Sequence, residues 1–226
     1  MATHGKINPR EVWKAVYLDN PRVFERKEEV EIPGFSVDML IDASSSRKQM
    51  QEQIAAQAYV LAESLEECGI PAQIYSYCSI RGFTVMRIFK DYEEEQVGNE
   101  LFGYVAAGNN RDGLALRAAG YLMEASKKAK RILLVLTDAN PMDDQNIGEG
   151  AFYTNKEYTD QPAIEDTARE VQRLKKKGIQ VIGIFMGSAK SREAAREIFD
   201  RELVQIQNIN DFAGAVGRVL GEVMKP

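Results

Sequence analysis

The sequence predicts an α/β protein, a three-layer sandwich in which helices cover both faces of a doubly wound, Rossmann-like, mostly parallel sheet. Three observations support this prediction. Strand-like segments alternate with segments of helical period from Phe35 onward. Residues 131–138 are apolar almost throughout, which is typical of a central parallel strand buried on both faces. Segments 73–79 and 83–90 are separated by only three residues, a connection that forces one antiparallel strand.

Each element follows from its local pattern. Residues 1–32 predict a short helix and an extended arm packed on the domain, and residues 33–226 form that domain. In its first half the pattern predicts a strand at 35–41, a helix at 47–68, the hairpin strands at 73–79 and 83–90, and a helix opening at 109–113. The strand at 131–138 and a loop at 139–161 follow. The second half then continues with a helix beginning around Pro162, a strand at 179–186, a helix at 191–200, an edge strand at 203–207 and a closing helix at 211–224.

Two features of these elements bear on the site. The helix that opens at 109–113 is expected to turn Leu114, Ala118, Tyr121, Leu122 and Ala125 inward. The loop at 139–161 is long enough to be functional, and its aromatic residues either contact a partner or pack beneath the loop. Asp38, inside the apolar segment 35–41, has no explanation in the pattern.

Composition excludes several classes of function. The single histidine, His4, lies in the N-terminal lead, which argues against Ser-His-Asp hydrolases, Cys-His proteases and His-ligated zinc enzymes. A net charge of −5 argues against general nucleic-acid binding. No apolar run approaches the roughly 20 residues of a membrane-spanning helix. The N-terminus does not read as a secretory signal, and two cysteines make no disulfide framework. We therefore expect a cytoplasmic protein that does not insert into a membrane.

A cluster of oxygen-bearing side chains follows the first predicted strand. Asp42, Ser44 and Ser46 alternate along the turn into the next helix, so all three can point toward one position. Oxygen ligands of low total charge suit Mg²⁺, or alternatively Mn²⁺ or Ca²⁺, better than softer metals. The alternative interpretation is that a serine caps the helix and the aspartate is solvated.

Two more loops offer the same chemistry. Asn110 and Asp112 stand at the start of a helix, and Asp138 ends the strand at 131–138. Each of these residues alone is equally consistent with helix capping or a turn. If the first and fourth strands are neighbours, all three loops lie around one crevice at the carboxyl ends of the strands, where ligands bind in such folds.

This constellation resembles the metal-ion-dependent adhesion site of von Willebrand factor type A domains. Asp42, Ser44 and Ser46 match the D-x-S-x-S motif of that family, and Asp138 falls at its third-loop aspartate. Asn110 stands where many members have a threonine, so the resemblance leaves open whether Asn110 or the neighbouring Asp112 ligates the ion directly.

Residues 20–24, 110–117 and 164–167 are similar to the C-terminal domain of nitric oxide reductase activation proteins, with the cobaltochelatase accessory subunit as a near relative. The resemblance implies an adaptor, not an enzyme, that works with a MoxR-type AAA ATPase in activating or inserting metal into a metalloenzyme. An acidic residue of the partner would complete the coordination of the ion. Two alternatives stay open: a metal-dependent phosphohydrolase that uses Asp42, and a structural subunit whose metal motif is vestigial.

Overall fold

The computed structural model describes residues 34–94, 96–147 and 156–223, together with two short strands nearer the N-terminus. The chain divides into two compact units, Met1–Ile32 and Pro33–Pro226. In the first unit, strands Lys6–Ile7 and Phe24–Glu25 pair antiparallel. The helix predicted in this unit lies outside the described residues.

A mixed sheet of six strands forms the centre of the second unit. The strands described in this unit are β1 (Phe35–Asp42), β2 (Ala72–Ile80), β3 (Phe83–Lys90), β4 (Lys130–Thr137), β5 (Asp143–Ile147), β6 (Lys156–Tyr158), β7 (Ile179–Phe185) and β8 (Leu203–Gln205). The sheet order is β8-β7-β4-β1-β2-β3, and every pair is parallel except β2 with β3. β1 and β4 are therefore neighbours, with Ile41 opposite Leu136.

Helices cover both faces of this sheet. The α-helices described are α1 (Gln51–Glu67), α2 (Asp112–Leu122), α3 (Asp160–Lys176), α4 (Arg192–Phe199) and α5 (Phe212–Val223). One apolar cluster joins the sheet to α1 and α5 through residues such as Ile54 and Val216, and a second joins it to α2, α3 and α4 through residues such as Leu116 and Val171. The predicted three-layer α/β fold is confirmed.

Local chemistry explains where two elements end. α1 stops before Gly69, whose positive φ of 66° is a conformation that glycine adopts without strain and that lets Ile70 N–H bond back to Leu65 O at 2.9 Å. The β2–β3 hairpin turns through Arg81 and Gly82, both with positive φ, as the tight turns of twisted hairpins require.

The predicted inner face of α2 is wrong in part: Leu114, Tyr121 and Ala125 are exposed, whereas Ala118 and Leu122 are half-buried, and Leu122 packs against the core. The helix buries Ala115, Leu116 and Ala119, whereas Leu114 is 38% exposed and Tyr121 is 73% exposed. A small residue lets α2 approach α3 closely: a Cβ added at Gly120 would lie 2.6 Å from Leu174 Cδ2. The predicted face already included Ala118 and Ala125, so the error concerns which side of the helix is inward and not the size of its residues.

The segment predicted as one loop at 139–161 contains secondary structure. β5 and β6 pair antiparallel within it, and Tyr158 at the end of β6 is fully buried. Tyr158 therefore packs beneath the segment and does not form an exposed contact surface. The other aromatic residues of the segment, Phe152 and Tyr153, lie outside the described residues.

The carboxyl group of Asp38 is satisfied inside the protein. It is fully buried and accepts hydrogen bonds from the hydroxyl groups of Tyr75, at 2.9 Å, and Tyr92. Burial raises the pKa of Asp38 to about 7, although both tyrosine hydrogen bonds and the charge of Arg131 lower it.

Within the described ranges, no helix is both long enough and apolar enough to cross a lipid bilayer.

Candidate functional site

The loops after β1 and β4 meet at the carboxyl end of the sheet. Because these strands are adjacent and parallel, Asp42 and Asp138 leave the sheet side by side. The hydroxyl of Ser46 donates to Asp138 Oδ2 at 2.7 Å, and the hydroxyls of Ser44 and Ser46 are 3.0 Å apart. The backbone N–H of Ser44 donates to Asp42 Oδ1 at 2.8 Å. These four residues therefore form one continuous polar cluster.

The second loop forms a buried pair of its own. Asn110 Nδ2 donates to Asp112 Oδ1 at 3.0 Å, and the hydroxyl of Tyr77 donates to the same oxygen at 2.8 Å. The charge of Asp112 also interacts with the charges of Asp42 and Asp138. Because the Asn110 amide nitrogen is engaged with Asp112, its carbonyl oxygen is the atom left to contact a cation.

Helix capping does not account for these side chains. Ser44 occupies the position before the short 3₁₀ helix Ser45–Met50, but its hydroxyl makes no capping hydrogen bond. At the start of α2, the residue in the capping position is Arg111, and it makes no side-chain capping bond either. The serine hydroxyls and the Asp112 carboxylate are instead directed to other side chains of the site.

The electrostatics of the site favour a bound positive charge. Burial, reinforced by the neighbouring charge of Asp138, raises the pKa of Asp42 to about 6 despite the opposing effect of Arg47. Burial and the charge of Asp42 raise the pKa of Asp112 well above its ordinary value. Carboxylates that share one buried region repel one another, and a cation among them relieves that repulsion.

Arg47 is a residue of the candidate site that the sequence analysis missed. Its side chain is buried with a residue exposure of 2%. Its Nη2 atom lies 2.9 Å from Asp138 Oδ2, and its Nε atom lies 3.6 Å from Asp42 Oδ2. Its Nη1 atom donates to the backbone oxygen of Met186 at 2.8 Å. Its position directly after the D-x-S-x-S motif could have indicated this place, because the motif was predicted to lie close to other carboxylates.

The donor set fits a hard divalent cation. All six predicted ligands carry oxygen, and Asp42 Oδ2 is buried without a hydrogen-bond partner. In the described part of the chain, no group of three or more His, Cys, Asp or Glu side chains could hold a metal by itself. Coordination would therefore depend on the serine hydroxyls and on the Asn110 carbonyl as well as on the carboxylates. A full list of the candidate ligands is Asp42, Ser44, Ser46, Asn110, Asp112 and Asp138.

Comparison with known sequences finds distant relatives. No family model matches the chain. It is 24% identical over 189 residues to the uncharacterized protein YojO of Bacillus subtilis, an alignment that covers 77% of this chain and 27% of YojO. It is 27% identical over 138 residues to the uncharacterized protein PA0525 of Pseudomonas aeruginosa, covering 59% of this chain and 21% of that protein. The chain thus matches about a quarter of the length of these relatives.

Comparison with solved structures identifies the fold. The von Willebrand factor domain of the type V pili tip protein Mfa5 from Porphyromonas gingivalis superposes with a TM-score of 0.67 at 11% identity, covering 85% of this chain and 96% of that domain. The pilus adhesin SpaC of Lactobacillus rhamnosus GG gives 0.60 at 14% identity, with coverages of 83% and 30%. A D319A mutant of the PilB minor pilin of Streptococcus sanguinis gives 0.61 at 13% identity, with coverages of 90% and 66%. At such identities the likeness concerns the fold alone.

Proposed function

With a von Willebrand factor type A fold as the framework, we propose that this chain is a protein-binding adaptor whose contact with its partner depends on a bound divalent cation, Mg²⁺ in the first instance. The observation that carries the proposal is the 2.7 Å hydrogen bond from Ser46 to Asp138, which joins the loop after β1 to the loop after β4. Two loops distant in sequence thereby supply oxygen atoms to one position at the end of the sheet.

The chemistry of the donors explains how an ion would serve binding. Neutral oxygens from Ser44, Ser46 and Asn110 would leave much of the ion's charge uncompensated, and a Glu or Asp of the partner would neutralise it. Without the ion, the carboxylates of Asp42 and Asp138 repel an acidic partner. The contact is therefore gated by the metal.

The finer proposal names the partner class. The similarity of residues 110–117 and 164–167 to nitric oxide reductase activation proteins supports a MoxR-type AAA ATPase as partner, with a metalloenzyme such as nitric oxide reductase as target. The chain matches only about a quarter of the length of YojO and PA0525. The partnership is therefore proposed for this chain, and nothing is proposed for those two proteins.

Calorimetric titration with MgCl₂ tests the metal site. We expect one Mg²⁺ per wild-type chain and at least a tenfold weaker Kd in Asp138→Asn, roughly the effect of removing one charged ligand. Asp144→Asn is the matched control, since it removes the same charge from an exposed side chain in the nearby strand β5. Circular dichroism in EDTA verifies that both variants fold. Failure of the wild type to bind Mg²⁺, Mn²⁺ or Ca²⁺ would overturn the proposal.

The partner is tested with a purified MoxR-type AAA ATPase and immobilised chain. Surface plasmon resonance should show association in Mg²⁺ and none in EDTA, and Asp138→Asn should need at least about tenfold more Mg²⁺ than wild type for the same association. Association that is equal in Mg²⁺ and EDTA would refute metal gating. Absence of association in both would refute this partner class and leave the Mg²⁺ titration as the test of the site.

A metal-independent structural module is the second candidate, because Arg47 already places a positive charge between Asp42 and Asp138. This candidate requires partner binding to be unaffected by chelator. The phosphohydrolase alternative is tested by a turnover screen on generic phosphate esters with Mg²⁺. We expect no turnover, and turnover that disappears in Asp42→Asn would establish an enzyme instead.

A further inference from the structure

We infer that Arg47 is an internal cation that competes with the divalent ion for Asp42 and Asp138 and so sets the metal affinity of the site. The inference rests on the proposed function, because it concerns the occupancy of the same carboxylates. It adds a regulatory element inside the chain: the guanidinium must give up its contact with Asp138 for the ion to use that oxygen.

Arg47 is held in place from three parts of the fold. It lies in the 3₁₀ helix after β1, pairs with Asp138 just after β4, and donates to the backbone oxygen of Met186 just after β7. A buried guanidinium is costly without anionic partners, so its position depends on the carboxylates it faces. The arginine and the carboxylates therefore stabilise one another in the metal-free chain.

The carboxylate oxygens that Arg47 faces are the ones a cation would need. Asp42 Oδ1 accepts the backbone N–H of Ser44, so Oδ2, which faces Arg47, is the oxygen without a hydrogen bond. Asp138 Oδ1 accepts the backbone N–H of Asn140 at 3.2 Å, while Oδ2 contacts both Ser46 and Arg47. A divalent ion at these oxygens would lie close to the guanidinium, and the two positive charges would repel each other.

The contacts of Arg47 with the carboxylates are of a kind that an ion can replace. Neither Nε nor Nη2 of Arg47 makes a hydrogen bond of good geometry, although both atoms are buried. Their attraction to Asp42 and Asp138 is therefore mainly Coulombic and lacks the directional bonds of a bidentate arginine–carboxylate pair. The Nη1 bond to Met186 is independent of the carboxylates and can retain the side chain when Asp138 is released.

Replacing Arg47 shows whether its side chain competes with Mg²⁺ for the carboxylates or helps the site to bind the ion. Arg47→Met keeps an apolar stem of similar reach and removes the charge, and Lys48→Met removes the same charge from the exposed neighbour as the matched control. In calorimetric titrations we expect Arg47→Met to bind Mg²⁺ at least about tenfold more tightly than wild type, and Lys48→Met to bind as wild type does. In EDTA, Arg47→Met should melt at a lower temperature, and Mg²⁺ should raise its Tm by more than that of wild type.

The outcomes distinguish this inference from the proposed function. Equal or weaker Mg²⁺ binding by Arg47→Met, with wild type binding normally, would overturn the inference and leave the proposed function standing. Binding by Arg47→Met without binding by wild type would support competition by Arg47 but overturn the proposed function, which requires the wild-type chain to bind a cation. Absence of binding in both would overturn both. If Arg47→Met does not fold in EDTA, recovery of its circular dichroism by Mg²⁺ supports the inference, and failure to recover at any Mg²⁺ concentration overturns it.

Discussion

The buried carboxyl group of Asp38 should make the fold less stable as the pH rises. Its pKa is about 7 in the folded chain, against 3.8 for the free side chain, because burial disfavours the charged form. Between these values the folded chain holds a proton that the unfolded chain releases. The stability that Asp38 contributes is therefore complete below the unfolded pKa and is lost as the pH rises through about 7.

The size of the effect follows from the two pKa values. Their separation of about 3 pH units corresponds to about 4 kcal/mol, at about 1.4 kcal/mol per unit. Asp38→Asn keeps the shape of the neutral acid and can still accept from Tyr75 while its amide faces Tyr92. We expect the variant to match wild type near pH 4 and to exceed its stability by up to about 4 kcal/mol at pH 8.

Urea unfolding followed by circular dichroism from pH 4 to pH 8 in EDTA measures this difference. Other titrating groups are common to both proteins, so their effects cancel when the two free energies of unfolding are subtracted. Asp144→Asn, which changes an exposed carboxylate, serves as the control and should show no comparable trend. A difference between Asp38→Asn and wild type that does not change with pH, or that falls as the pH rises, would refute the reasoning.

Two further predictions concern the site and the core. Mg²⁺ should bind more tightly as the pH rises through about 6, because burial raises the pKa of Asp42 to that value and the carboxyl must lose its proton to contact a cation. Calorimetry at pH 5 and pH 7.5 measures the Kd at each pH, and an unchanged Kd would contradict the prediction. Gly183→Ala in β7 should lower the free energy of unfolding by about 1–3 kcal/mol, because the added Cβ would lie 2.4 Å from Phe199 Cγ. Gly217→Ala in α5, where the added Cβ meets no atom within 4 Å, should be neutral or stabilising by up to about 1 kcal/mol. Urea unfolding compares the two variants, and equal urea midpoints would contradict the prediction that, of the two glycines, only Gly183 is tightly packed.

The elements of the sheet were predictable because their signals are local. Period-two and apolar segments marked the strands, and the short connection through Arg81 and Gly82 required an antiparallel pair. The spacing of Asp42, Ser44 and Ser46 at a strand end likewise depends only on neighbouring residues. The narrower relation to nitric oxide reductase activation proteins and the cytoplasmic location remain predictions.

The errors arose where a residue's surroundings come from distant parts of the chain. The orientation of α2 depends on the close approach of α3 at Gly120, which the helical periodicity of the segment does not reveal, and Tyr121, predicted to face inward, is exposed. The burial of Arg47 depends on Asp138 and on the Met186 carbonyl, which adjacent strands bring to it. No sequence window contains both a charge and its distant partners.

The amino-acid sequence by itself determined the alternation of strands and helices and the presence of oxygen-bearing side chains at the strand ends, because backbone periodicity and residue chemistry are properties of short segments. Only the tertiary structure decided that Ser46 meets Asp138, that Arg47 lies between two carboxylates, and that Asp38 is held by two tyrosines. These arrangements arise because strand order sets which loops become neighbours, and burial makes each charge depend on the partners found there.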